Sequence, residues 1–359
     1  MRIKPFAAAA LVTATALAFA GCAANETPAA GGTTGGSQTL TGVGSSAQKA
    51  AQEKWVADFQ TANPNITVNY SPDGSGAGRS QFIAGAANFA GSDRPFKDDE
   101  MGAGKFAGCA ADSNALNLPV YISPIAVVFN VEGVKELTFD PATLAGIFAG
   151  KITKWSDPAI AKTNPGVTLP DAAITAVHRG DDSGTTNNFT DTLNKTAPEV
   201  WTEAAADTFP AAFGGEAANG TSGVIQAVTN GKNIIGYADE SQAGTLGKAS
   251  ILVGGKALQP TADAAAAILD HSETVPGRDA NDLAYSLNRT SEGVYPAVLV
   301  SYAIVCQTYK DSSVATLVKD YVGYMASAEG QQAAAQAAGS APLSSALQAK
   351  VKTAIDSIK

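Results

Sequence analysis

The chain has 359 residues, a length that favours two domains over one hydrophobic core. Its formal net charge of −9, from 24 basic and 33 acidic residues, argues against nucleic acid or an anionic surface as the partner. A small sequestered anion remains compatible with that charge, because a buried site is governed by its local field.

The N-terminus has the pattern of an export leader. Two basic residues precede an apolar stretch over residues 6–20, and two small residues come directly before Cys22. This arrangement resembles the processing site of bacterial lipoproteins. It predicts removal of residues 1–21 and a lipid on Cys22 that anchors the protein to the outer face of the cell membrane. Phe19 stands where that site usually has leucine, and ordinary cleavage with a free Cys22 thiol is the alternative. The apolar stretch is shorter than the roughly 20 residues that a membrane span needs.

The segment after Cys22 lacks the side chains that a hydrophobic core requires. Residues 23–37 are mostly alanine, glycine, threonine and serine, with no large apolar residue. This composition predicts a flexible tether that holds the folded part of the chain close to the membrane.

Short β-type runs alternate with helical patterns along the rest of the chain. The runs predicted to be strands are 38–41, 66–70, 118–131, 173–179, 234–238, 251–253 and 295–305. Helical periodicity is clearest at 47–63 and 312–327, and the alanine-rich tracts 264–267 and 333–338 are typical of helices. The alternation predicts an α/β fold.

Cysteine usage agrees with export. Three cysteines would leave one unpaired, but lipidation of Cys22 leaves Cys109 and Cys306. Because exported proteins meet an oxidising environment, these two are predicted to form a disulfide. Two buried free thiols are the alternative, since the sequence does not place the two Cα atoms.

Three turns rich in glycine and hydroxyl residues each precede a helical pattern: GVGSS at 42–46, GSGAG at 74–78 and DDSGT at 181–185. A helix start leaves backbone N–H groups without partners and carries positive potential, and glycine lets the backbone approach a ligand closely. Each turn can therefore offer donors to an anion. For a single turn, an ordinary helix cap is the more common interpretation. None of the three contains the lysine of a nucleotide-binding P-loop.

Two charged residues make an anion site more specific. Arg179 ends a predicted strand shortly before the third turn, and its planar guanidinium suits bidentate contact with phosphate oxygens. Asp93 lies in GSDRP at 91–95, and a carboxylate is useful in an anion site only if the ligand still holds a proton. A surface ion pair for Arg179 and a helix cap for Asp93 are the alternatives.

Residues 70–78, 88–95 and above all 144–190 resemble the phosphate-binding proteins of bacterial ABC-type phosphate importers. The last stretch contains GKITKW at 150–155, NPG at 164–166 and RGDDSGT at 179–185. The resemblance implies a type II periplasmic binding fold, in which two α/β lobes joined by a two-crossing hinge close over one dehydrated phosphate. The family's hinge crossings would fall near residues 122 and 295. Lobe I would then comprise 38–122 plus 296–359, and lobe II would comprise 123–295.

Position by position, the resemblance implies a phosphate site of hydroxyl and backbone donors. The hydroxyl donors would be Ser46, Ser75, Ser183 and Thr185. The backbone N–H donors would be Ala47, Gly184 and Thr185. Arg179 would supply the charge, Asp93 would accept the proton of the bound phosphate, and Asp181 would pair with Arg179 and fix its orientation.

Two positions depart from the family pattern. Ala47 and Gln48 stand where relatives often have an aromatic residue and a proline, although a backbone N–H at residue 47 survives the change. Asp182 stands where many relatives have glycine. It adds a carboxylate beside the anion site and is expected to cap the helix that follows.

Two other classes of function remain as alternatives. An enzyme could hydrolyse a phosphate ester with Ser183 or Ser75 as nucleophile and Asp93 as base. However, the chain has only two histidines, His178 and His271, and neither metal-ligand spacing nor a nucleophile-elbow motif. A structural surface lipoprotein would explain the anchor but not the charges and glycine turns together. The sequence favours a monomeric binding protein without cofactor, metal or catalysis, whose partners are phosphate and the membrane permease subunits of an importer.

Overall fold

The computed structural model describes residues 37–359. The predicted leader, the lipidation site at Cys22 and residues 23–36 of the predicted tether lie outside the described residues. None of the helices between residues 37 and 359 combines the length and the apolar composition that crossing a membrane requires.

Strands and helices alternate along the described chain. The strands are β1 (Gln38–Gly44), β2 (Ile66–Ser71), β3 (Phe89–Ser92), β4 (Ala115–Asn130), β5 (Thr138–Phe139), β6 (Thr175–Arg179), β7 (Glu216–Ala218), β8 (Ile234–Asp239), β9 (Gly247–Val253), β10 (Lys256–Leu258), β11 (Glu273–Thr274), β12 (Tyr285–Ser286) and β13 (Val298–Cys306). The helices are α1 (Lys49–Ala62), α2 (Ser75–Ile83), α3 (Pro141–Phe148), α4 (Pro158–Thr163), α5 (Gly184–Thr196), α6 (Gly220–Asn230), α7 (Ala262–Asp270), α8 (Ser312–Ala326), α9 (Ala328–Ala338) and α10 (Ser345–Asp356).

Strand β4 links two halves of the main sheet. Its residues 115–124 pair with antiparallel β13, which continues through β3 and β1 to β2. Its residues 125–130 pair with antiparallel β8, which continues through β6 to β7, and residues 127–129 also pair with β9. We call the first set the β1 half and the second set the β8 half. Nearly the whole of β4 is buried, as expected for an apolar strand covered on both faces.

The parallel strands of each half end at an edge that faces the other half. In the β1 half, β1, β2 and β3 are followed by the turn before α1, the turn before α2 and Asp93. In the β8 half, β6 and β7 are followed by the turns before α5 and α6. The carboxyl ends of parallel strands are where α/β sheets bind ligands. The fold therefore brings the predicted turns to a common cleft.

Helices α1, α8 and α9 pack together beside the β1 half. On α1, Trp55 is fully buried and donates from Nε1 to the carbonyl of Gly330 in α9 at 2.6 Å, and Phe59 packs edge-on against Tyr321 of α8. These contacts hold α1, and with it the first glycine turn, against α8 and α9.

The α/β class predicted from the sequence is confirmed, and each predicted strand overlaps an observed one. Both predicted helices are present as α1 and α8, and the two alanine-rich tracts lie in α7 and α9. Strand β13 begins at Val298 rather than at residue 295, because Pro296 has no backbone N–H to give to a sheet.

One segment of predicted lobe II is attached to the β1 half. Arg278 donates from Nη2 to the carbonyl of Phe96 at 2.6 Å, and Asp282 accepts from the backbone N–H and the side-chain amide of Asn117, both at 2.9 Å. Residues 278–282 therefore hold to the β1 half by hydrogen bonds, although they precede the second predicted crossing.

The predicted disulfide between Cys109 and Cys306 is present. Cys306 is the last residue of β13, and Cys109 lies in the loop between β3 and β4. Their Cα atoms are 5.3 Å apart and both side chains are buried. The bond joins residues separated by 197 positions, so it closes a long loop in the unfolded chain.

Replacing both cysteines by alanine should lower the free energy of unfolding by about 2–4 kcal/mol, because the unfolded chain regains the entropy that the bond removes. Urea unfolding of the oxidised protein and the double variant measures the difference. Alkylation of both thiols in the native, unreduced protein would rule the bond out.

Candidate functional site

The three predicted turns meet between the two halves of the sheet. Gly76 at the start of α2 donates its backbone N–H to the carbonyl of Asp182 at 2.9 Å. A Cβ on Gly184 would lie 2.7 Å from Ser75 Oγ and 2.8 Å from Asp93 Cβ. Glycine at 184 is therefore what allows the start of α5 to approach both the start of α2 and Asp93.

The start of α1 contacts α6 across the same cleft. Ser46 Oγ accepts from the backbone N–H of Thr221 at 3.0 Å and lies 3.0 Å from the Thr221 hydroxyl. The carbonyl of Ser46 accepts from Gln242 Nε2 at 2.9 Å. The N–H of Ala47 donates to Ser45 Oγ at 3.1 Å, so a neighbouring hydroxyl already engages this predicted donor.

Asp93 is a buried carboxylate surrounded by donors. Its Oδ1 accepts from the hydroxyls of Ser45 and Ser301, the latter at 2.6 Å, and its Oδ2 accepts from the hydroxyl of Thr185 at 2.9 Å. Its backbone N–H donates to Ser75 Oγ at 3.1 Å. Because Ser75 accepts that bond, its own hydroxyl hydrogen can point to a ligand.

Arg179, which is buried, and Asp181, which is partly exposed, form an ion pair beside these groups. Nε of Arg179 donates to Asp181 Oδ1 at 2.6 Å and Nη2 donates to Asp181 Oδ2. Burial opposes ionisation of Asp181, but the hydrogen bonds and charge of Arg179 outweigh burial and lower the pKa of Asp181. The N–H of Gly220 at the start of α6 adds a bond to Oδ1 at 2.9 Å.

Three of the five guanidinium hydrogens of Arg179 remain after the pairing with Asp181. They sit on the two terminal nitrogens, which form the fork that binds two oxygens of an oxyanion. The Arg179 side chain is 2% exposed, so this charge acts in a region with little water to screen it. The arrangement combines an oriented cation, Arg179, with an acceptor carboxylate, Asp93, in one cleft.

The start of α5 offers backbone donors. Ser183 Oγ caps the helix by accepting from the N–H of Thr186 at 3.1 Å. The expectation that Asp182 caps α5 is therefore wrong: the cap lies one residue later, and Asp182 is exposed. Within residues 37–359, the N–H groups of Gly184 and Thr185 have no acceptor, as is usual in the first turn of a helix.

A second polar contact crosses the cleft near the site. Asp207, in the loop after α5, accepts from Arg79 Nη2 at 2.7 Å and from Arg94 Nη2 at 2.6 Å. Arg94 also donates to both oxygens of Glu100, at 2.7 and 2.9 Å. The side chains of Arg79, Arg94 and Asp207 are 4%, 8% and 11% exposed, so little water reaches the ion pairs that they form.

The charges in this network perturb one another. Burial opposes ionisation of Glu100, but its bonds with Arg94 and the N–H of Lys97 lower the pKa of Glu100 to about 2. Burial alone would lower the pKa of Arg94, yet Glu100 and Asp207 raise it above its usual range. Burial and the neighbouring Arg94 charge lower the pKa of Arg79.

The sequence did not single out Ser45, Ser301, Thr221 or Asn188. Ser45 adjoins the predicted Ser46, and Ser301 is the one serine in the otherwise largely apolar β13. Asn188 donates to the carbonyl of Asp93 at 2.6 Å from the first turns of α5. A polar residue inside a buried strand was the one available signal for Ser301, since it must find a partner there.

His178, the neighbour of Arg179, is not directed at the cleft. Its ring stacks on Phe209 with 4.3 Å between centroids, and its Nδ1 lies 2.9 Å from the carbonyl of Arg179. Among residues 37–359, no group of three or more His, Cys, Asp or Glu side chains could hold a metal ion.

Comparison with known proteins gives three kinds of match. Residues 27–329 match the family model of the PBP superfamily domain. Phosphate-binding protein PstS 3 of Mycobacterium tuberculosis is 37% identical over 341 residues, which cover 90% of each chain. Phosphate-binding protein PstS 3 of Mycobacterium leprae is 33% identical over 378 residues and covers 100% of each chain. The solved phosphate-binding protein from Stenotrophomonas maltophilia has a TM-score of 0.68 at 20% identity, covering 88% of this chain and 93% of that one.

Proposed function

Since the chain belongs to the PBP superfamily, and within it to the family of PstS phosphate-binding proteins, we propose that it binds inorganic phosphate and delivers it to an ABC-type phosphate importer. Its fold is the two-lobed type II periplasmic binding fold. The ligand site is the cleft into which the turns before α1, α2 and α5 project.

The observation that carries this proposal is a buried acceptor in a site otherwise made of donors. Asp93 faces Ser75, Thr185 and the free N–H groups at the start of α5, with the guanidinium of Arg179 nearby in the same cleft. A ligand that fits must be an anion and must also carry a proton for Asp93. Phosphate near neutral pH meets both conditions, and fully ionised sulfate meets only the first.

Binding is coupled to closure of the two lobes. We place lobe I at 38–122 plus 296–359 and lobe II at 123–295, with β4 and the segment before β13 as the two crossings. Contacts of Ser46 with Thr221 and of Asp93 with Thr185 join the two lobes around the ligand. Hydrogen bonds from residues 278–282 to Phe96 and Asn117 favour movement of that short segment with lobe I.

The hydrogen bonds of the serine hydroxyls favour binding without catalysis. Ser183 Oγ caps α5, and Ser75 Oγ accepts from the N–H of Asp93, so neither serine is hydrogen-bonded to a base. The Asp93 carboxylate is engaged by Ser45, Ser301 and Thr185 instead. A serine nucleophile needs a base within hydrogen-bonding reach.

Export and anchoring complete the proposal. A leader over residues 1–21 and a lipid at Cys22 would hold a monomer at the outer face of the cell membrane, where the permease subunits of the importer can receive phosphate. Intact mass of protein extracted from membranes tests the anchor. A mass that matches an unmodified Cys22 would refute it.

Calorimetric titration with phosphate, run beside a phosphate-release assay on a phosphate monoester, tests the proposed function. Saturable binding of one phosphate per chain without turnover is expected. Absence of phosphate binding by the folded protein, or catalytic release of phosphate at the monoester, would overturn it.

Replacing Asp207 by asparagine should weaken phosphate binding by about ten- to a hundredfold. The closed cleft would then hold Arg79 and Arg94 with less compensating charge, and breaking one side of a buried ion pair is costly. Most of the loss should appear as faster phosphate release, measured by stopped-flow fluorescence. Asp171→Asn is the control, because the Asp171 carboxylate is 72% exposed in its ion pair with Lys154. Equal release rates in both variants would contradict the coupling of Asp207 to closure.

A further inference from the structure

A buried chain of side-chain hydrogen bonds runs from α8 to the acceptor carboxylate, through Tyr321, Gln52, Gln48 and Ser301 to Asp93. We propose that this relay positions Asp93 so that only its Oδ2 meets the proton of the ligand, which makes Gln48 and Ser301 positioning residues for phosphate selectivity. The inference rests on the proposed function, because it assigns a source to the selectivity of that same site.

The relay has one direction. The terminal atom of Gln48 that lies 2.6 Å from Ser301 Oγ also lies 3.4 Å from the carbonyl of Tyr302. A carbonyl oxygen only accepts, so this atom of Gln48 is the amide nitrogen. Gln48 Oε1 then accepts from Gln52 Nε2 at 2.8 Å, and Gln52 Oε1 accepts from the Tyr321 hydroxyl at 2.8 Å. Each hydrogen in the chain points towards Asp93.

Ser301 transmits this direction to the carboxylate. A hydroxyl has one hydrogen, and the amide of Gln48 already donates to Ser301 Oγ, so the hydrogen of Ser301 is given to Asp93 Oδ1 at 2.6 Å. The register between β13 and β4 shifts between Ser301 and Tyr302. Such an irregularity re-aims a side chain, here the hydroxyl of Ser301.

Ser45 is the second hydroxyl that donates to Asp93 Oδ1. Its Oγ accepts from the N–H groups of Ala47 at 3.1 Å and Gln48 at 3.3 Å, and its hydrogen is given to Asp93 Oδ1. Two donors occupy Oδ1, whereas among residues 37–359 only Thr185 donates to Oδ2, which can take one more hydrogen bond. The proton of the ligand is thereby directed to Oδ2.

Burial makes the relay rigid and costly to break. Ser301 and Gln48 are 0% exposed and Gln52 is 1% exposed. Water therefore does not readily take the place of a hydrogen-bond partner that a substitution removes. Gln48 occupies a position where the family resemblance expects proline, which has neither a side-chain amide nor an N–H for Ser45. Relatives that have proline at this position therefore lack the relay.

Loss of the relay should weaken the binding of phosphate and strengthen the binding of sulfate. Without the hydrogen of Ser301, the Asp93 carboxylate can turn, and its bond to the proton of phosphate weakens. The same freedom lets Asp93 turn away from a bare sulfate oxygen, which relieves repulsion. The ratio of the two affinities therefore reports the orientation of Asp93, whereas a general loss of stability lowers both affinities together.

The test is calorimetric titration of the full chain with phosphate and with sulfate at fixed pH and ionic strength. Ser301→Ala should narrow the phosphate-to-sulfate affinity ratio by about ten- to a hundredfold, and Gln48→Leu by about three- to tenfold. Ser301→Thr, which keeps the hydroxyl, should retain most of the ratio. Gln60→Leu is the matched control, because Gln60 lies on α1, the helix that begins directly after Gln48, and its Oε1 accepts from the N–H of Val68, away from Asp93.

The outcomes separate the relay from the function on which it rests. An unchanged ratio in Ser301→Ala and Gln48→Leu, in proteins that still bind phosphate, would overturn the relay and leave the proposed function standing. Failure of the wild type to bind phosphate would overturn both. If Gln60→Leu narrowed the phosphate-to-sulfate affinity ratio equally, loss of any glutamine amide near α1 would have this effect. That result would also overturn the relay.

Discussion

Replacing Arg179 by alanine should weaken phosphate binding by about a thousandfold or more. The variant loses a buried cation with three hydrogens available to the ligand, and hydrogen bonds to charged groups are worth about 1.5–3 kcal/mol each. It also removes the cation that compensates the Asp181 carboxylate, which lies in the same cleft as the bound anion. Fluorescence or calorimetric titration measures the loss.

Two further arginine variants make this result specific. Arg179→Lys keeps the charge but not the planar fork, so its affinity should lie between those of the wild type and Arg179→Ala. Arg278→Ala removes another largely buried arginine, one that bonds to Phe96 and Asp98 away from the cleft, and should keep near wild-type affinity. Near wild-type binding by folded Arg179→Ala would show that the site assignment is wrong.

The wild-type protein should prefer phosphate over sulfate by a factor of about 10⁴ to 10⁵. Sulfate brings no proton for Asp93, so a carboxylate and an oxyanion oxygen would face each other in a closed cleft. Sites with a buried group left unpaired reject analogues by factors of this size. Asp93 has only 2% of its surface exposed, and Ser45, Ser301 and Thr185 hold its carboxylate in place.

Asp93→Asn should narrow that preference, because the amide carries no charge to repel sulfate and can donate a hydrogen bond. Paired titration of both proteins with both anions at fixed pH and ionic strength provides the comparison. If the wild type bound sulfate within about tenfold of phosphate, the energetic difference would be only about 1.4 kcal/mol. That is less than a buried unpaired acceptor costs, and the role given to Asp93 would be wrong.

Long apolar runs and helical periodicity made most of the fold predictable. The 118–131 and 295–305 runs correspond to β4 and β13, and both are almost wholly buried. Strand β3 was missed because Phe89–Ser92 is short and consists largely of small residues. A Cβ on Gly91 would lie 2.2 Å from the Tyr70 hydroxyl, so packing rather than local preference sets that residue.

The predicted site residues lie in or beside the three glycine turns and at Asp93, and the fold brings these four distant segments together. The sequence could not predict which side chains form hydrogen bonds and ion pairs with one another. The contacts of Ser301 with Gln48 and of Asp207 with Arg79 join residues 253 and 128 positions apart, and no local pattern specifies them. The cap of α5 shows the same limit at short range, because both Asp182 and Ser183 are good capping residues and only the backbone geometry selects Ser183.

A crystal structure of the protein grown with phosphate tests the central claim most directly. One phosphate should lie between the starts of α1, α2 and α5, with an oxygen about 2.5–3.0 Å from Asp93 Oδ2 and two oxygens about 2.7–2.9 Å from the terminal nitrogens of Arg179. Phosphate bound elsewhere, or bound in the cleft without contact to either Asp93 or Arg179, would contradict it.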